Sequence, residues 1–585
     1  MNVGWVWRLV DGVNMLWPSG VTTSTGLFPG QTGTNLRDEI ESGLRELEQV
    51  AAAVRCYYGL FWPPGSSAPN RPLTVQSSTS GHDLSSQRLR PARPSSRAAA
   101  GIGCGLIAAL VAAAPAAACA PAGPPPSIVV VIIDTLRADH IGSYGYGENP
   151  TTPNLDARAT SAALFERAFS TAPWTLPAIG SILTGQLPAR HAAGGRFVSA
   201  ADSHAAGDPG SAPATELVDH GRRIFFRLDD SIPTLAQRLT DAGYATAAIV
   251  NNSFLAPEFG LERGFATYDY DARRPERRAA DASDRALAWL AERPEGDEPL
   301  FLLLHYFDPH MKYGAPPPFL GRFAGRHAGD QFALPLDDFR PLRASIRERA
   351  EGWQRDAALQ EALYDEEIAY VDHQLERVLD VLEARGFFEH GYLVVTSDHG
   401  EEFQDHGGME HGHTLYNELI RVPFLVWGPG VVPGRYPLPV SLVDVMPTLL
   451  EAARLPAEPG IEGVSLWQVL EEGPATARAS ALPFDRPLFA ERPLYGDAKK
   501  AVIRWPWKLL ADLGDQAEVA FDLETDPDEN DPRELIDLDA QGQDRLLSML
   551  AVLQEMMTRT NPDAGEGAVL SEATIRRLRE LGYIR

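Results

Sequence analysis

Runs of consecutive aliphatic residues recur from Ser127 onward, and they limit the fold more than any other feature of the chain. The clearest are SIVVVIID, YATAAIV, LFLLLHYF, GYLVVTSD and PFLVWGPG. Such runs are typical of strands that are buried on both faces of a parallel sheet. Segments with helical spacing lie between them: TPNLDARATSAALF, SIPTLAQRLTDAG and EALYDEEIAYVDHQLERVLDVLEARG. This alternation predicts an α/β fold with a large, mostly parallel sheet sandwiched by helices.

The composition excludes some classes of protein. The 585-residue chain is 44% hydrophobic and 22% charged, which suits a soluble globular protein, and its net charge of -27 argues against a nucleic-acid partner. All three cysteines, Cys56, Cys104 and Cys119, lie in the first fifth of the chain. The part that follows therefore has no disulfide, no thiolate metal ligand and no cysteine nucleophile.

The first 125 residues predict two segments that precede the catalytic part. Residues 1–92 show no sustained periodicity, and we interpret them as an unstructured or spurious extension that precedes the true start of translation. In residues 93–125, arginines precede an apolar run and a proline-rich spacer, a layout typical of an export signal or a membrane or lipid anchor. Cys119 would be the acylated residue of a lipoprotein, and an alanine-rich linker or buried helix is the alternative. The segment predicts an exported, periplasmic or cell-envelope protein that associates with the membrane.

Acidic residues and histidines collect where the predicted strands end. Asp134 ends the first run, Asp398 and His399 end GYLVVTSD, and Asp308 and His310 follow LFLLLHYF. The segment HGGMEHGHTLYNE then adds the histidines His406, His411 and His413. In open α/β sheets, ligands bind at the carboxyl ends of the strands. We therefore expect a functional site at this edge of the sheet.

Two carboxylates and an imidazole, those of Asp134, Asp398 and His399, form a ligand set for a hard divalent cation. Taken singly, each of these residues has a structural alternative: Asp134 as a helix cap and His399 as a loop hydrogen-bonding group. Their joint position at strand ends favours the metal site.

Thr175 lies in TAPWTLPAIGSILTG, a turn that leads into a short helical segment. Pro177 suits the first turn of a helix, and the helix N-terminus favours anionic oxygen nearby. A free hydroxyl is a poor nucleophile, but a divalent cation can hold it as an alkoxide. An ordinary N-cap is the alternative for Thr175.

Three long segments resemble the sulfatase family of the alkaline phosphatase superfamily. They are VVVIIDTLRADHIGSYGYGENPTTPNLDARATSAALFERAFSTAPWTLPAIGSILTGQLPARH, TSDHGEEF with HGHTLYNELIRVPFLVWGPG, and AVIRWPWKLLADL with EVAFDLETDPDEN. The resemblance begins near Ser127 and runs to the end of the sequence. It implies an alkaline phosphatase-like catalytic domain over residues 126–490 and a smaller C-terminal α+β subdomain over residues 491–585.

The resemblance also implies roles for individual residues. Asp134, Asp398 and His399 match metal ligands, with Thr175 at the nucleophile position and in the metal set. The remaining catalytic residues are His310, which matches a contact to the substrate or leaving group, and His413, which matches a lysine or histidine that lines the site. The predicted substrate-binding residues are Asn251, Asp308 and His411.

The chain departs from the usual sulfatase pattern at the nucleophile and around it. Thr175 replaces the cysteine or serine that sulfatases oxidise to formylglycine, and Ile179 replaces the arginine that follows it. Oxidation of a threonine would give a ketone rather than an aldehyde. Asn251 stands where the family has a lysine, so it can offer only a neutral hydrogen bond. These departures indicate a threonine-nucleophile variant that does not use formylglycine.

The predicted function is metal-dependent hydrolysis of phosphate or sulfate esters, of EC class 3.1, with phosphoester or phosphonate chemistry favoured over sulfate. The alternatives are a phospho-group transferase acting on envelope lipid or glycan, and a catalytically silent exported binding protein. The expected substrate is a small-molecule, glycan or lipid ester. The expected cofactor is one divalent ion (Ca, Mg, Mn or Zn); a second ion would be held by Asp308, His310 and His413 or His411.

Overall fold

The structure is a computed structural model. The predicted N-terminal segments, 1–92 and 93–125, lie outside the described residues except for 124 and 125, and so does most of the small-residue insertion between Phe197 and Arg222. The described residues are 124–198, 222–293, 298–327, 334, 336, 338–479, 485–515, 517–533, 538–559, 567–580 and 583.

The strands and helices alternate along the chain. The strands are β1 (Ser127–Ile133), β2 (Ala163–Phe169), β3 (Gly194–Val198), β4 (Arg222–Phe226), β5 (Ala245–Ile249), β6 (Thr267–Asp269), β7 (Leu300–Tyr306), β8 (Gly391–Thr396), β9 (Glu402–Phe403), β10 (Met409–Glu410), β11 (Arg421–Val422), β12 (Phe424–Trp427), β13 (Gly434–Ser441), β14 (Leu488–Glu491), β15 (Lys499–Arg504), β16 (Trp507–Asp512) and β17 (Ala517–Asp522). The α-helices are α1 (Pro153–Ala159), α2 (Thr175–Thr184), α3 (Pro188–His191), α4 (Leu235–Asp241), α5 (Ala279–Ala291), α6 (Arg340–Arg347), α7 (Trp353–Ala384), α8 (Phe387–His390), α9 (Asn417–Ile420), α10 (Val445–Ala452), α11 (Trp467–Glu472), α12 (Pro474–Ala479), α13 (Ala540–Arg559) and α14 (Glu572–Glu580). Single 3₁₀ turns cover Ala138–His140, Gly142–Tyr144, Ser253–Leu255, Pro257–Phe259, Ala324–Arg326 and Leu442–Asp444.

A large central sheet has the strand order β11-β2-β12-β8-β1-β7-β5-β6, and β13 also pairs with β2. The strands β8, β1, β7, β5 and β6 run parallel, so the prediction of a large, mostly parallel sheet is confirmed. The PFLVWGPG run was expected to follow the same direction, but its strand β12 is antiparallel to β8. Parallel neighbours need a crossover connection, usually a helix, and only short elements lie between β8 and β12.

Helices cover both faces of the sheet, and the pattern of β1 shows why its sequence is uniformly aliphatic. Val130 packs with α2 and α10 on one face, while its neighbours Val129 and Val131 pack with α5 and α7 on the other. Because successive side chains of a strand point to opposite faces, a strand in the middle layer has no position for a polar residue.

The helical segments are confirmed with one exception. The segment TPNLDARATSAALF was expected to be a single helix, but α1 ends at Ala159 and its last residues form the start of β2. Leu164 lies in register with Leu425 of β12, so pairing and burial in the sheet outweigh the helical spacing of this run. Helix α4 is preceded by its N-cap residue Thr234, whose side chain forms a capping box with Gln237.

A smaller antiparallel sheet, β14-β15-β16-β17, begins at Leu488, and α13 packs against it through Met549 and Leu553. This confirms a smaller C-terminal subdomain of helices and sheet. All described residues belong to one compact unit. Among them, no helix combines the length and the apolar character needed to cross a membrane.

Candidate active site

The carboxyl ends of the neighbouring strands β1 and β8 bring Asp134, Asp398 and His399 together, as the sequence predicts. Nε2 of His399 lies 3.4 Å from Oδ1 of Asp134 and 3.5 Å from Oδ2 of Asp398. All three side chains are 0% exposed. The His399 Nδ1–H donates to the carbonyl of Gly400 at 2.9 Å, so the bare Nε2 faces the two carboxylates in the manner of a metal-binding imidazole.

The sequence analysis missed His305, which belongs to the same group. It lies in β7 in register with Ile132 of β1, and its Nε2 is 3.7 Å from Oδ2 of Asp134. Asp134, His305 and Asp398 each offer one ligand atom, and these atoms lie within 4.8 Å of one another. The available signal was a histidine inside the aliphatic run LFLLLHYF, where a buried strand otherwise excludes polar side chains.

The group has the properties of a cation site. Among the described residues, Oδ1 of Asp134, Oδ2 of Asp398 and both ring nitrogens of His305 are buried without a hydrogen-bond partner. Burial raises the pKa of Asp398 to about 7, and burial together with the charge of Asp398 raises the pKa of Asp134 well above its usual value. Burial lowers the pKa of His305 to about 3. Buried carboxylates without a counter-charge are costly, and a divalent cation fits this donor set.

Thr175 faces this group from the first turn of α2. Its Oγ1 lies 3.4 Å from Nε2 of His399 and accepts a hydrogen bond from Nδ2 of Asn252 at 3.2 Å. The N-cap residue of the helix is Trp174, in an extended conformation, so the alternative of Thr175 as an N-cap is wrong. The Thr175 hydroxyl is 1% exposed and within hydrogen-bonding reach of a candidate metal ligand.

Both side-chain groups of Asn251, a predicted substrate-binding residue, are engaged within the protein. Its Nδ2 donates to the carbonyl of His305, and its Oδ1 accepts from Nε of Arg277 at 2.6 Å. The next residue, Asn252, reaches the site instead, with Nδ2 2.6 Å from Oδ2 of Asp134. The chain turns after β5, and this turn directs one asparagine into the scaffold and the other into the site.

Asp308 is also placed away from a substrate position. Its Oδ2 accepts the backbone N–H of Ala279 at 2.5 Å, and its Oδ1 lies 3.3 Å from Nη1 of Arg278. The carboxylate therefore binds the N-terminus of α5, where its charge is favourable. The second-ion group of Asp308 with His310 and another histidine is not assembled among the described residues, whose one cluster with ligand spacing is that of Asp134, His305 and Asp398.

The histidines His310 and His411 lie beside the metal-ligand group. The ring centroids of His411 and His399 are 4.5 Å apart, and those of His310 and His411 are 4.8 Å apart. Burial and the neighbouring His411 lower the pKa of His310 to about 4, and burial lowers that of His411 to about 3. Both rings are therefore neutral near pH 7.

The other two histidines of this loop bind acidic residues. Nε2 of His413 lies 2.6 Å from Oε2 of Glu402, so this predicted catalytic residue is held in an ion pair. His406 lies 2.9 Å from Glu418 and stacks on Tyr416 with ring centroids 3.7 Å apart. Only His411 of the three contacts the ring of a candidate metal ligand.

The turn after β1 is strained. Thr135 has a φ of 57°, a left-handed conformation that β-branched residues rarely adopt. Its backbone N–H lies 3.4 Å from Oδ1 of Asp398, and its carbonyl accepts from the hydroxyl of Tyr364 at 2.7 Å. The strain, of about 1–3 kcal/mol at such positions, is located where the backbone orients two candidate ligands.

Residues 126–455 match the model of the sulfatase family. The chain belongs to the sulfatase family. It is therefore a sulfatase-family hydrolase, and this family is typically metal-dependent, in agreement with the cluster of Asp134, His305 and Asp398.

Individual relatives are distant. The chain is 25% identical over 475 residues to an arylsulfatase of Clostridium perfringens, which covers 69% of this chain and 89% of that protein. The fold is similar to a putative sulfatase from Bacteroides thetaiotaomicron, with a TM-score of 0.58, 19% identity and coverage of 77% of this chain and 96% of that one. It is also similar to a phosphonate monoester hydrolase of Agrobacterium radiobacter, with a TM-score of 0.54, 17% identity and coverage of 74% and 95%.

Proposed function

We propose that this protein hydrolyses phosphate, phosphonate or sulfate esters with Thr175 as the nucleophile, and that it favours phosphorus over sulfur. The observation that carries the proposal is the position of the Thr175 hydroxyl, 3.4 Å from His399 and hydrogen-bonded to Asn252. The hydroxyl does not cap its own helix, since Trp174 is the N-cap residue, and it lies beside a group of buried acids.

Asp134, Asp398 and His399 would hold the divalent ion, and His305 is the further ligand that the unpartnered ring nitrogens suggest. Such an ion would supply the positive charge that lowers the pKa of a nearby hydroxyl and attracts an anionic ester. One ion accounts for the ligand atoms within 4.8 Å of one another.

The chain's own residues then have defined tasks. The Thr175 Oγ1 forms a bond to phosphorus or sulfur, while the bond from that atom to the ester's leaving oxygen breaks. The leaving oxygen takes up a proton, matched by the one that the Thr175 hydroxyl loses, and His413 is the candidate source because, although burial opposes it, the hydrogen bond to Glu402 raises its pKa. His310, a neutral ring that donates its Nδ1–H to the carbonyl of Met311, would instead accept a hydrogen bond from the released alcohol. Water then bonds to the same atom, the bond to Oγ1 breaks, and the Thr175 hydroxyl is restored. The Asn252 amide, which donates to Oγ1, orients the nucleophile before attack.

Two substitutions favour phosphorus chemistry. Sulfatases of the usual type use a formylglycine formed from cysteine or serine, and a threonine such as Thr175 cannot be oxidised to formylglycine. The arginine that follows in them is Ile179 here, which is 1% exposed and packs in the apolar layer against the sheet. A site with fewer cationic side chains relies more on the bound ion for holding the ester oxygens.

The location of the substrate is also part of the proposal. The arginines and apolar run in residues 93–125 support export, and they favour an envelope or extracellular ester such as a glycan substituent or a lipid head group. Mass spectrometry of the mature N-terminus and fractionation of the producing cells test this. A mature protein that retains peptides from residues 35–55 would contradict it.

The test of the nucleophile compares Thr175→Ala and Thr175→Ser on a panel of 4-nitrophenyl phosphate monoesters and diesters, phenylphosphonates and sulfates, each with Mn, Ca, Mg or Zn. Loss of the nucleophile should lower kcat by about a thousandfold or more, while serine should retain measurable turnover. Thr171→Ala is the matched control, because Thr171 lies in the same segment but its hydroxyl binds Ser181 at 2.8 Å. Full activity in the Thr175→Ala protein would refute the proposal.

A further inference from the structure

The hydroxyl of Tyr583 lies between the two histidines beside the candidate site. It is 2.8 Å from Nε2 of His310 and 3.3 Å from Nε2 of His411. The Nδ1–H of His310 donates to the carbonyl of Met311 at 2.8 Å, so its Nε2 is the acceptor and the phenol donates to it. These are the nitrogens that a substrate's leaving oxygen would otherwise meet.

The segment that carries Tyr583 is attached to the catalytic domain. The backbone N–H of Tyr583 donates to the carbonyl of Leu578 in α14 at 2.9 Å. Helix α14 in turn binds two acidic residues of the catalytic domain, with Thr574 donating to Glu258 at 2.9 Å and Arg577 paired with Glu276. The position of the phenol is therefore fixed by contacts outside the site.

The ring of Tyr583 fills most of the space over the histidines. It meets the ring of Phe254 edge-on, with centroids 4.7 Å apart and planes at 66°. Tyr583 is 5% exposed. The cavity left beside it, lined by His310, Met311, Lys312, Glu410, His411 and Tyr495, holds about 30 Å³. This is room for a water molecule or two beside the ring.

Burial, with the nearby Tyr495 and Asp134, raises the pKa of Tyr583 well above its usual value, so the group is a neutral phenol. A neutral hydroxyl on an aromatic ring has the shape of a released ring alcohol. The Tyr583 oxygen lies within hydrogen-bonding distance of Nε2 of His310 and Nε2 of His411. The phenol therefore occupies the position that the alcohol product of an ester hydrolysis would take.

We propose that Tyr583 is a specificity-determining residue that occupies the leaving-group position of the active site and must withdraw before an ester binds. The inference rests on the proposed ester hydrolysis. The group that replaces the phenol needs a ring-sized apolar body against Phe254 and an oxygen between His310 and His411. Leaving groups without such a ring are selected against, since they do not replace the contacts that Tyr583 gives up.

The first test measures phenol binding by calorimetry on chelator-treated protein, so that no turnover is required. In Tyr583→Ala the vacated space should bind phenol, and wild type should bind it at least about tenfold more weakly because its own ring fills the position. Toluene, which fits but lacks the hydroxyl, should bind the same variant about fivefold more weakly than phenol. Tyr268→Phe is the control, since the Tyr268 hydroxyl donates only to the carbonyl of Leu255 at 2.7 Å.

The second test compares steady-state kinetics of wild type, Tyr583→Phe and Tyr583→Ala on a 4-nitrophenyl ester. Only the fraction of molecules with the phenol withdrawn would bind substrate, so both variants should have a lower KM and an unchanged kcat. The resulting rise in kcat/KM should be about fivefold for phenylalanine and about tenfold or more for alanine. The phenylalanine variant keeps the ring, so it remains informative if the alanine variant does not fold.

Either of two results overturns the proposal. One is a folded Tyr583→Ala protein that binds phenol no better than wild type; the other is a fall in kcat at unchanged KM in Tyr583→Phe, which would make the phenol a support of turnover. If wild type hydrolyses no ester in the panel but Tyr583→Ala binds phenol, the proposed reaction is wrong, while the occupation of a phenol-binding position by Tyr583 stands.

Discussion

The variant Asp398→Asn tests two effects of a buried acid at the site: the free-energy cost of its buried charge to folding, and its contribution to binding an ion. Oδ1 of Asp398 accepts the backbone N–H of His399 at 2.9 Å, while its Oδ2 is buried without a partner among the described residues. Asparagine has the same shape and no charge. The variant should therefore remove the electrostatic cost of this position together with its ability to bind a cation.

The magnitude follows from the pKa of Asp398, which burial raises from 3.8 to about 7. Between these values the unfolded chain has lost the proton and the folded protein still holds it, so folding takes up a proton. The contribution of Asp398 to the stability of the ion-free protein should therefore fall as the pH rises from about 4 to about 7, by up to about 1.4 kcal/mol per pH unit and about 4 kcal/mol in all. The buried histidines His305, His310 and His411 contribute in the opposite direction, so the difference between wild type and Asp398→Asn measures the contribution of Asp398. The asparagine variant lacks this loss and should be the more stable protein at pH 7 without an ion.

A divalent ion should narrow that difference and offset it at about a thousandfold excess over its Kd, where the gain is about 4.1 kcal/mol. An ion that binds only the folded state adds about 2.7 kcal/mol at a hundredfold excess over its Kd, and this gain belongs to wild type alone. Urea unfolding between pH 4 and 8, with chelator and then with Mn, Ca, Mg or Zn, measures both effects.

Asp372→Asn is the matched control for the ion response. Burial raises the pKa of Asp372 to about 7 as well, but this carboxylate accepts the backbone N–H of Leu155 at 2.9 Å, away from the site. It should change the pH dependence and leave the stabilisation by ions intact. A difference in stability between chelated wild type and Asp398→Asn that does not change from pH 4 to 7, or an Asp398→Asn protein that ions stabilise as much as wild type, would refute the reasoning.

Three further predictions test the surroundings of the site. Asn252→Ala should lower kcat/KM about tenfold to a hundredfold, whereas Asn251→Ala should chiefly lower the melting temperature, because only Asn252 reaches Thr175; kinetics and thermal melts of both variants check this. Gly400→Ala would place a methyl group 1.9 Å from the carbonyl oxygen of Glu418, so we expect at least about 3 kcal/mol of destabilisation in urea unfolding. Although burial opposes it, the hydrogen bond and charge of Glu418 raise the pKa of His406 from 6.5 to about 9. The ion pair of His406 and Glu418 therefore stabilises the fold fully below pH 6.5, and this stabilisation is lost as the pH rises through about 9. His406→Gln should remove about 1 kcal/mol of that pH dependence, measured by unfolding from pH 6 to 10.

The parts of the fold that could be predicted are those that depend on one segment at a time. Strands β1, β5, β7 and β8 are mostly apolar because both faces of each are covered, and that pattern is visible without any partner. The meeting of Asp134, Asp398 and His399 follows from the same source, because parallel strands end at one edge of the sheet. The hydroxyl of Thr175 joins them because α2 starts at that edge.

The parts that could not be predicted depend on contacts between distant segments. The direction of β12 and the change from helix to strand in Ala163–Phe169 are decided by pairing in the sheet. Which of two adjacent asparagines enters the site depends on how the chain turns after β5, and sequence spacing does not fix that turn. Tyr583 contacts His310 because α14 binds the catalytic domain, and no local sequence pattern predicts this contact.

The acids at the sheet edge differ from two other buried acids of the protein, Asp444 and Glu366. Asp444 is 0% exposed, but it is paired with Arg486 and accepts the backbone N–H groups of Ser441 at 2.9 Å and Val464 at 2.8 Å. Glu366, also 0% exposed, accepts three backbone N–H groups at 2.7–2.9 Å. The fold therefore can satisfy a buried carboxylate where structure alone requires it. Oδ1 of Asp134 and Oδ2 of Asp398 lack such partners at the edge where Thr175 faces them, and a cation would offset a cost that the scaffold avoids at Asp444 and Glu366.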